Sequence, residues 1–312
     1  MNDFLQPKGP YTDLRALVQT RLAAKDLSLP AKARSQSLLH GARRTHFRGR
    51  GMEFAEIRAY QPGDDVRTID WRVTARAQKP FTKLYSEERE KPVFLLVDQR
   101  ASMFFGSRQC FKSVYAAHLA CLLGWAASQA GDRIGAMLAH ASGITDLRPK
   151  GRQHAMLNMI NQLHTCNHAL TQPFGLAEEV SLGNQLSQCA RALKPGTTLA
   201  IISDFSDWTP AAERQLSLIG RHNDVLLIHL YDQLEAQPPA DSRLAISNGT
   251  QRLQLNAPQA AAISRAFGQR CQSLEASARK LGLSFYSLEI STPLLPWLIQ
   301  HFGRNRATRG AR

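Results

Sequence analysis

The strongest constraint in this sequence is a series of short, almost uninterrupted apolar segments that alternate with longer segments of helical periodicity. The clearest apolar segments are residues 93–97, 197–205 and 225–231. Strands that are apolar on both sides must be covered on both faces, and strands joined through helices run parallel. The sequence therefore predicts a doubly wound, Rossmann-like α/β domain over residues 91–302, with a mostly parallel sheet and helices on both faces.

Three further segments surround this predicted domain. Residues 1–50 contain an amphipathic lead helix followed by a basic loop, and residues 303–312 form a basic tail. Residues 51–90 change to short extended and turn segments, with a tight turn at Pro62 and Gly63. We expect this segment to pack on the α/β domain.

The formal net charge is +14, and the excess is concentrated in residues 41–51 and 303–312. Clustered cations attract polyanions, so this pattern raises the alternative of a nucleic-acid-binding protein that uses the basic loop and the tail. Phe47 is the one aromatic residue within these two segments, whereas nucleic-acid platforms use successive aromatic residues interleaved with the charges, which favours a solvated surface instead. The tail also leaves a peripheral contact with an anionic membrane open.

Composition also indicates the compartment. No window approaches the roughly 18 consecutive apolar residues of a membrane span, and the first residues lack the pattern of a signal peptide. The five cysteines are scattered and never spaced as CxxC, which disfavours disulfides and zinc. We therefore expect a cytoplasmic protein with no transmembrane segment and with reduced cysteines that serve in packing.

Two of the apolar strands end in aspartate. Asp98 follows the first strand, with Arg100 and Ser102 just behind it, and Asp204 lies at the end of the strand at 197–205. Ligands of open parallel sheets collect beyond the carboxyl ends of the strands. We expect both aspartates to reach the same edge of the sheet.

These segments resemble a known superfamily. VFLLVDQRASM (93–103), DRIGAMLAH (132–140) and LAIISDFSD (199–207) resemble the von Willebrand factor A fold. GRGMEFAEIRAYQPGDDVRTIDWRVTARAQKPF (49–81) resembles the signature of the DUF58 family within that superfamily. The resemblance extends over residues 49–289, and residues 51–90 are its most specific part.

The resemblance implies a degenerate metal-ion-dependent adhesion site. In A-type domains, oxygen ligands from two strand ends hold a hard cation such as Mg²⁺. Asp98, Ser102 and Asp204 match three of these ligand positions. Arg100 stands where the pattern has its first serine, and Asn184 is aligned with the threonine of a later loop.

Arg100 disfavours Mg²⁺ at this site. A guanidinium ~4 Å from a divalent ion, at an effective dielectric constant near 20, opposes binding by roughly 8 kcal/mol. A millimolar site supplies only about 4 kcal/mol. We therefore predict that Arg100 itself neutralises Asp98 and Asp204; the alternative is that Arg100 points to solvent and Asp98 caps the following turn.

The segment GDDVRTIDWR and the residues just after it alternate acids and bases. Each carboxylate has an arginine within reach, which favours ion pairs that brace the segment against the α/β domain over catalysis or calcium binding. Trp71 is predicted to be buried between the two layers. The residues predicted to form this structural ion-pair segment are Asp64, Asp65, Arg67, Asp70, Trp71, Arg72 and Arg76.

The sequence favours a non-enzymatic protein-interaction module. There is no GxSxG elbow, Ser102 has no identifiable base, and no general base accompanies the aspartates. The resemblance to DUF58 implies a partner of the MoxR-type AAA+ ATPase class and a role in chaperone-like maturation or assembly of proteins. Nucleic-acid binding stays as the alternative function.

Overall fold

The computed structural model describes residues 6–29, 52–62, 64, 66–87, 92–150, 152–169, 180–239, 245–247, 252–254 and 256–303. Its helices and strands follow one another along the chain as α1 (Leu14–Ala23), β1 (Met52–Ala59), α2 (Trp71–Ala77), β2 (Phe81–Glu87), β3 (Pro92–Gln99), α3 (Lys112–Ala130), β4 (Arg133–His140), β5 (Gly143–Lys150), α4 (Arg152–Ala169), α5 (Leu182–Ala192), β6 (Thr198–Ser203), α6 (Pro210–Gly220), β7 (Asp224–Tyr231), α7 (Gln233–Ala236), β8 (Ala245–Ser247), β9 (Arg252–Gln254), α8 (Ala257–Lys280), β10 (Ser284–Glu289) and α9 (Leu294–Phe302). The predicted basic loop at 41–51 and residues 304–312 of the predicted tail lie outside the described residues.

Two compact units divide the chain. The larger unit combines Met1–Ala33 with Lys91–Arg312, and the smaller unit is Arg34–Glu90. The predicted division of the N-terminal part at residue 50 therefore differs from the structure. The reason lies in the lead helix, because Leu17 and Leu27 are fully buried in the main core of the larger unit.

The larger unit contains a six-stranded sheet in the order β10-β7-β6-β3-β4-β5. All neighbouring pairs are parallel except β4 and β5, which are antiparallel. The predicted α/β fold with a mostly parallel sheet is confirmed. The antiparallel edge arises because a two-residue turn joins β4 directly to β5, too short for the crossover that a parallel pair needs.

Alternate residues of the central strand face two separate cores. Val93, Leu95 and Val97 pack with α1, α3, α4 and α9, and Phe94 and Leu96 pack with α5, α6 and α8. This alternation is what the period of two in a strand requires. Seventeen of the nineteen residues of α3 are buried, because α1 covers the side of α3 that faces away from the sheet.

Helix ends are fixed by local polar groups. Asn256 and Gln259 form a reciprocal capping box at the start of α8, and Thr209 caps α6. Gly131 ends α3 with φ of 96°, a left-handed conformation that favours glycine. These caps set where the helices start relative to the strand ends and therefore position the loops between them.

The smaller unit contains the antiparallel pair β1 and β2, with α2 between them along the chain. Residues 51–90 were predicted to contain only extended and turn segments, so helix α2 was not predicted. Asp70 explains it, because its carboxylate accepts hydrogen bonds from the backbone N–H groups of Arg72 and Val73 and thereby caps a helix.

Among the described residues, no helix combines the length and the apolar character that crossing a bilayer requires.

Candidate functional site

The candidate site lies at the carboxyl edge of the sheet, where β3 and β6 pair. The chain leaves β3 toward β4 on one side, while β6 pairs on the other side, so the strand order reverses at this point. Such switch points open a crevice at the strand ends. Asp98 and Asp204 both lie there, and both are almost completely buried, with 1% and 2% exposed.

Arg100 folds back on Asp98. One carboxylate oxygen of Asp98, Oδ1, accepts hydrogen bonds from the backbone N–H and from Nε of Arg100, both at 3.0 Å. The other oxygen, Oδ2, accepts one from Nη2 of Arg100 at 2.8 Å and one from Oγ of Ser203 at 2.7 Å. The charge-assisted contact between the two side chains is therefore bidentate and buried.

The rest of the Arg100 guanidinium binds groups from the loops around α5 and β6. Nη1 and Nη2 donate to Oδ2 and Oδ1 of Asp207, both at 2.9 Å, and Nη1 also donates to the carbonyl oxygen of Val180 at 3.2 Å. Asp207 in turn accepts the backbone N–H of Leu182 at 2.7 Å. All five guanidinium N–H groups of Arg100 are therefore in use.

A second buried cation neutralises Asp204. Nζ of Lys112, in the first turn of α3, donates to Oδ2 of Asp204 at 2.8 Å and to Oε1 of Glu235 at 2.6 Å. The ammonium lies 5.9 Å from the centre of the Phe105 ring. Lys112 has no exposed surface, whereas the side chain of Glu235 is 24% exposed.

The second cluster continues into the loop before α3. Asp232 caps α7, and its backbone N–H donates to Glu235. The carboxylate of Asp232 accepts hydrogen bonds from the backbone N–H and the hydroxyl of Ser107. Loops that are far apart in sequence are thus tied together at one edge of the sheet.

The turn after Asp204 has an unusual backbone. Phe205 has φ of 48°, which is uncommon for a bulky residue, and its ring is buried. The conformation is held from both sides, because Phe205 N–H donates to Oγ of Ser203 and Ser206 N–H donates to Oδ1 of Asp204. The polar groups of the site therefore also fix the exit from β6.

The ion pairs favour the charged forms of Arg100, Lys112, Asp204 and Asp207. Burial alone would lower the pKa of Arg100 and of Lys112, but their carboxylate partners outweigh burial and raise both pKa values above the ordinary ones. Burial alone would likewise raise the pKa of Asp204 and Asp207. Lys112 and Arg100, respectively, outweigh it and lower both pKa values.

Asp98, Arg100 and Asp204 all belong to the ion-pair clusters at this edge, but the pairs that they form differ from the predicted ones. Arg100 binds Asp98, but its second carboxylate partner is Asp207, whereas Asp204 belongs to Lys112. The reason is that Lys112 enters the cluster from α3 and occupies the space beside Asp204. Sequence reasoning missed Lys112, although a lysine at the start of an otherwise apolar helix is a signal that could have identified it.

Asn184 does not occupy the position to which it was assigned. It lies in the first turn of α5 with an exposed side chain, and its backbone N–H donates a hydrogen bond to the capping hydroxyl oxygen of Ser181. The group of α5 that reaches the cluster is the backbone N–H of Leu182. A carboxylate at the N-terminus of a helix is favourable, which explains why Asp207 sits there.

The predicted ion-pair segment differs from the structure in its pairing. Asp64 pairs with Arg58 at 2.7 Å and accepts the backbone N–H of Gln61, so it closes a local turn. Asp70 caps α2. Arg67 is exposed, and Asp65 lies outside the described residues. The role of this segment in bracing the α/β domain stays a prediction.

Trp71 was predicted to be buried, and this is wrong: 67% of it is exposed. Val73 and Thr74 form the inner side of the short helix α2, and the rotation of the helix turns Trp71 outward. Arg72 and Arg76 are also exposed, and their side chains bond no residue in the part of the chain that the structure describes.

Comparison with known protein families shows to which family this chain belongs. Residues 56–276 match the family described as "Protein of unknown function DUF58". The chain belongs to the DUF58 family. Membership was predicted from the sequence and is confirmed. An uncharacterized protein of Mycobacterium tuberculosis is 32% identical to this DUF58 protein over 221 residues, which are 70% of this chain and 67% of the relative.

Several solved structures are similar at low sequence identity. The conserved hypothetical protein BatB from Bacteroides thetaiotaomicron is 14% identical with a TM-score of 0.42, over 67% of this chain and 96% of BatB. The SpRpn10 VWA domain is 10% identical with a TM-score of 0.37, over 68% of this chain and 95% of that domain. A von Willebrand factor type A protein from Catenulispora acidiphila is 11% identical with a TM-score of 0.34, over 71% and 43% of the respective chains.

The residues at the edge do not fit a divalent ion. Both oxygens of Asp98 and both oxygens of Asp204 already accept hydrogen bonds, and each carboxylate has a cation at salt-bridge distance. Of the three candidate ligands, only Ser102 has an oxygen with no hydrogen-bond partner among the described residues. Each resident cation would oppose a divalent ion ~4 Å away by roughly 8 kcal/mol.

The first prediction concerns the buried lysine. Lys112→Met leaves Asp204 buried without its cation, so we expect the free energy of unfolding to fall by about 3–5 kcal/mol. Lys280→Met is the matched control, because Lys280 forms an exposed pair with Glu213 and should change stability by less than about 1 kcal/mol. Urea denaturation at pH 7 measures both. The double variant Lys112→Met/Asp204→Asn should recover part of the loss; equal effects of the two lysine variants would contradict the assignment.

The second prediction concerns acid. The pKa values of Asp204 and Asp207 are lowered in the folded state, so the unfolded state binds more protons and stability must fall as the pH drops below about 4. Asp207→Asn should be less stable than the wild type at pH 7 but should lose less on acidification. Urea midpoints between pH 7 and pH 3 test this, with the exposed Asp26→Asn as the control that keeps the wild-type slope. An unchanged slope in Asp207→Asn would refute it.

Proposed function

We propose that this DUF58 protein is a non-enzymatic, metal-independent protein-interaction module. The observation that carries the proposal is the pair of resident cations, Arg100 and Lys112, at the edge where an A-type domain would hold Mg²⁺. Because these cations neutralise Asp98 and Asp204 internally, the domain needs no recruited ion to keep its strand-end loops in place.

The cluster acts as a frame for the loops. Arg100 holds Val180 and Asp207 against β3, and Lys112 holds Glu235 against β6. Each N–H group of the Arg100 guanidinium has an acceptor; such a satisfied network is rigid, and a rigid surface loses less conformational entropy when a partner binds. The proposed module is therefore preorganised around its own ion pairs.

The chemistry of the site supports binding rather than catalysis. Lys112 and Arg100 lower the pKa values of Asp204 and Asp207, so neither carboxyl group is poised to exchange a proton near neutral pH. Among the described residues, no three His, Cys, Asp or Glu side chains are grouped so that they could hold a metal ion. The degenerate adhesion site is thus proposed to be structural.

The partner is proposed to be a MoxR-type AAA+ ATPase, and the process chaperone-like maturation or assembly of other proteins. This step rests on the DUF58 resemblance of residues 49–81 and on the match of residues 56–276 to the family.

The third prediction concerns Mg²⁺. Isothermal titration calorimetry of the wild type should give no saturable heat at millimolar Mg²⁺, since each resident cation opposes the ion. Arg100→Ser installs the serine that the A-type pattern expects and should bind Mg²⁺ more tightly than the wild type does; Arg100→Lys keeps the positive charge and should not. Saturable binding by the wild type that Asp98→Ala weakens would rule out metal independence.

The fourth prediction concerns the partner. A purified MoxR-type AAA+ ATPase from the same organism, trapped with a slowly hydrolysed ATP analogue, should form a complex with the full chain in size-exclusion chromatography. The complex should survive truncation after Phe302, because the interaction does not use the basic tail. The nucleic-acid alternative predicts instead tight, steeply salt-dependent oligonucleotide binding that this truncation abolishes. That outcome, or no complex in any nucleotide state, would count against the proposed function.

A further inference from the structure

The buried cations cannot themselves recognise a partner. Arg100 has no free N–H group and is 3% exposed, and Lys112 is fully enclosed by Asp204, Glu235 and Phe105. In a metal-bearing adhesion site the cation has an open position for a carboxylate of the partner. Here no such position exists on either cation, so neither cation can bind a carboxylate of a partner.

Helix α2 of the smaller unit carries a surface of the required kind. Trp71 is the most exposed of the large apolar side chains in the described ranges. Arg72, Ala75 and Arg76 are exposed beside it. We call these four residues the α2 face.

The α2 face is continuous because of helical spacing. Trp71 and Ala75 are four residues apart, as are Arg72 and Arg76, so each pair lies on neighbouring turns about 5–6 Å apart. The opposite side of the helix is turned inward, where Oγ1 of Thr74 accepts the backbone N–H of Phe81. The result is an apolar ridge with an arginine ridge directly alongside.

Within the described ranges, no side chain neutralises the charge of the α2 face. The side chains of Arg72 and Arg76 bond none of the described residues. The nearest carboxylate in sequence, Asp70, accepts hydrogen bonds from backbone N–H groups at the start of the helix. An exposed tryptophan beside two arginines has the composition of an interaction hot spot, since Trp and Arg are the residues most enriched there.

We propose that the α2 face docks an acidic segment of a protein partner. Arg72 and Arg76 take Asp or Glu carboxylates of the partner, each able to bind in bidentate fashion, and Trp71 enters an apolar pocket between them. A protein is favoured over a nucleic acid because the face has a single aromatic ring and two cations, whereas single-stranded nucleic acids are bound by successive aromatic rings along a basic groove.

The test rests on the proposed function, because the purified MoxR-type ATPase is its probe. Biolayer interferometry compares the wild type with Trp71→Ala and with Arg72→Glu/Arg76→Glu, each as the full chain. Both variants should raise the Kd at least about tenfold, and the wild-type Kd should rise with salt concentration. Arg191→Glu/Arg265→Glu is the matched control, because it replaces two exposed arginines of the larger unit with the same change in net charge and should leave the Kd within about threefold.

The outcomes separate the two proposals. If the wild type does not bind the ATPase, the proposed function fails, whereas equal binding by wild type and α2 variants overturns only the docking surface. Thermal unfolding provides an independent readout: the melting temperature of Trp71→Ala should equal that of the wild type, and a large decrease would show that Trp71 has a structural role. Anisotropy with a labelled single-stranded oligonucleotide that binds the wild type and not the α2 variants would assign the surface to nucleic acid and also overturn the proposal.

Discussion

The arrangement of the larger unit depends on two positive charges buried beside carboxylates at the carboxyl edge of the sheet. A buried ion costs several kcal/mol to desolvate, and only close, well-oriented partners offset that cost. Arg100 and Lys112 meet this condition through different geometries. The planar guanidinium spans two carboxylates from separate loops, and the ammonium sits between two carboxylates against an aromatic ring.

These contacts neutralise, from within the chain, the acidic residues at the ends of β3 and β6. Asp98 and Asp204 would repel each other and lose solvation at the end of two buried strands if no cation were near. A recruited Mg²⁺ and a resident side chain are two solutions to the same electrostatic problem. The resident solution also leaves the outer carboxylates, Asp207 and Glu235, partly in contact with water, with side chains 32% and 24% exposed.

Much of the fold could be predicted because short patterns in the sequence specify its individual strands and helices. Segments apolar on both sides predicted β3, β6 and β7 to within a few residues. The antiparallel direction of β5 depends on the short turn after β4 and not on the composition of the strand, since an edge strand can have the same composition in either direction. Helix α2 was missed because it is only seven residues long and depends on the cap at Asp70.

In the site, too, only the contact between residues that are close in sequence could be predicted. Asp98 and Arg100 are two residues apart, so their pairing follows from a short turn. The contacts of Arg100 with Asp207 and of Lys112 with Asp204 join residues about one hundred positions apart and depend on how the helices start. Trp71 was misplaced because hydrophobicity favours burial but does not determine which side of a short helix faces inward.

The position of Lys112 in α3 restricts the motions open to the larger unit. Some packed helices switch between two registers by sliding one turn along their neighbours, about 5.4 Å. Such a slide of α3 would pull the ammonium away from Asp204 and leave two unlike charges separated inside the protein. The helix is therefore anchored at one end by a salt bridge, and the unit should have a single ground state instead of two conformations of similar energy.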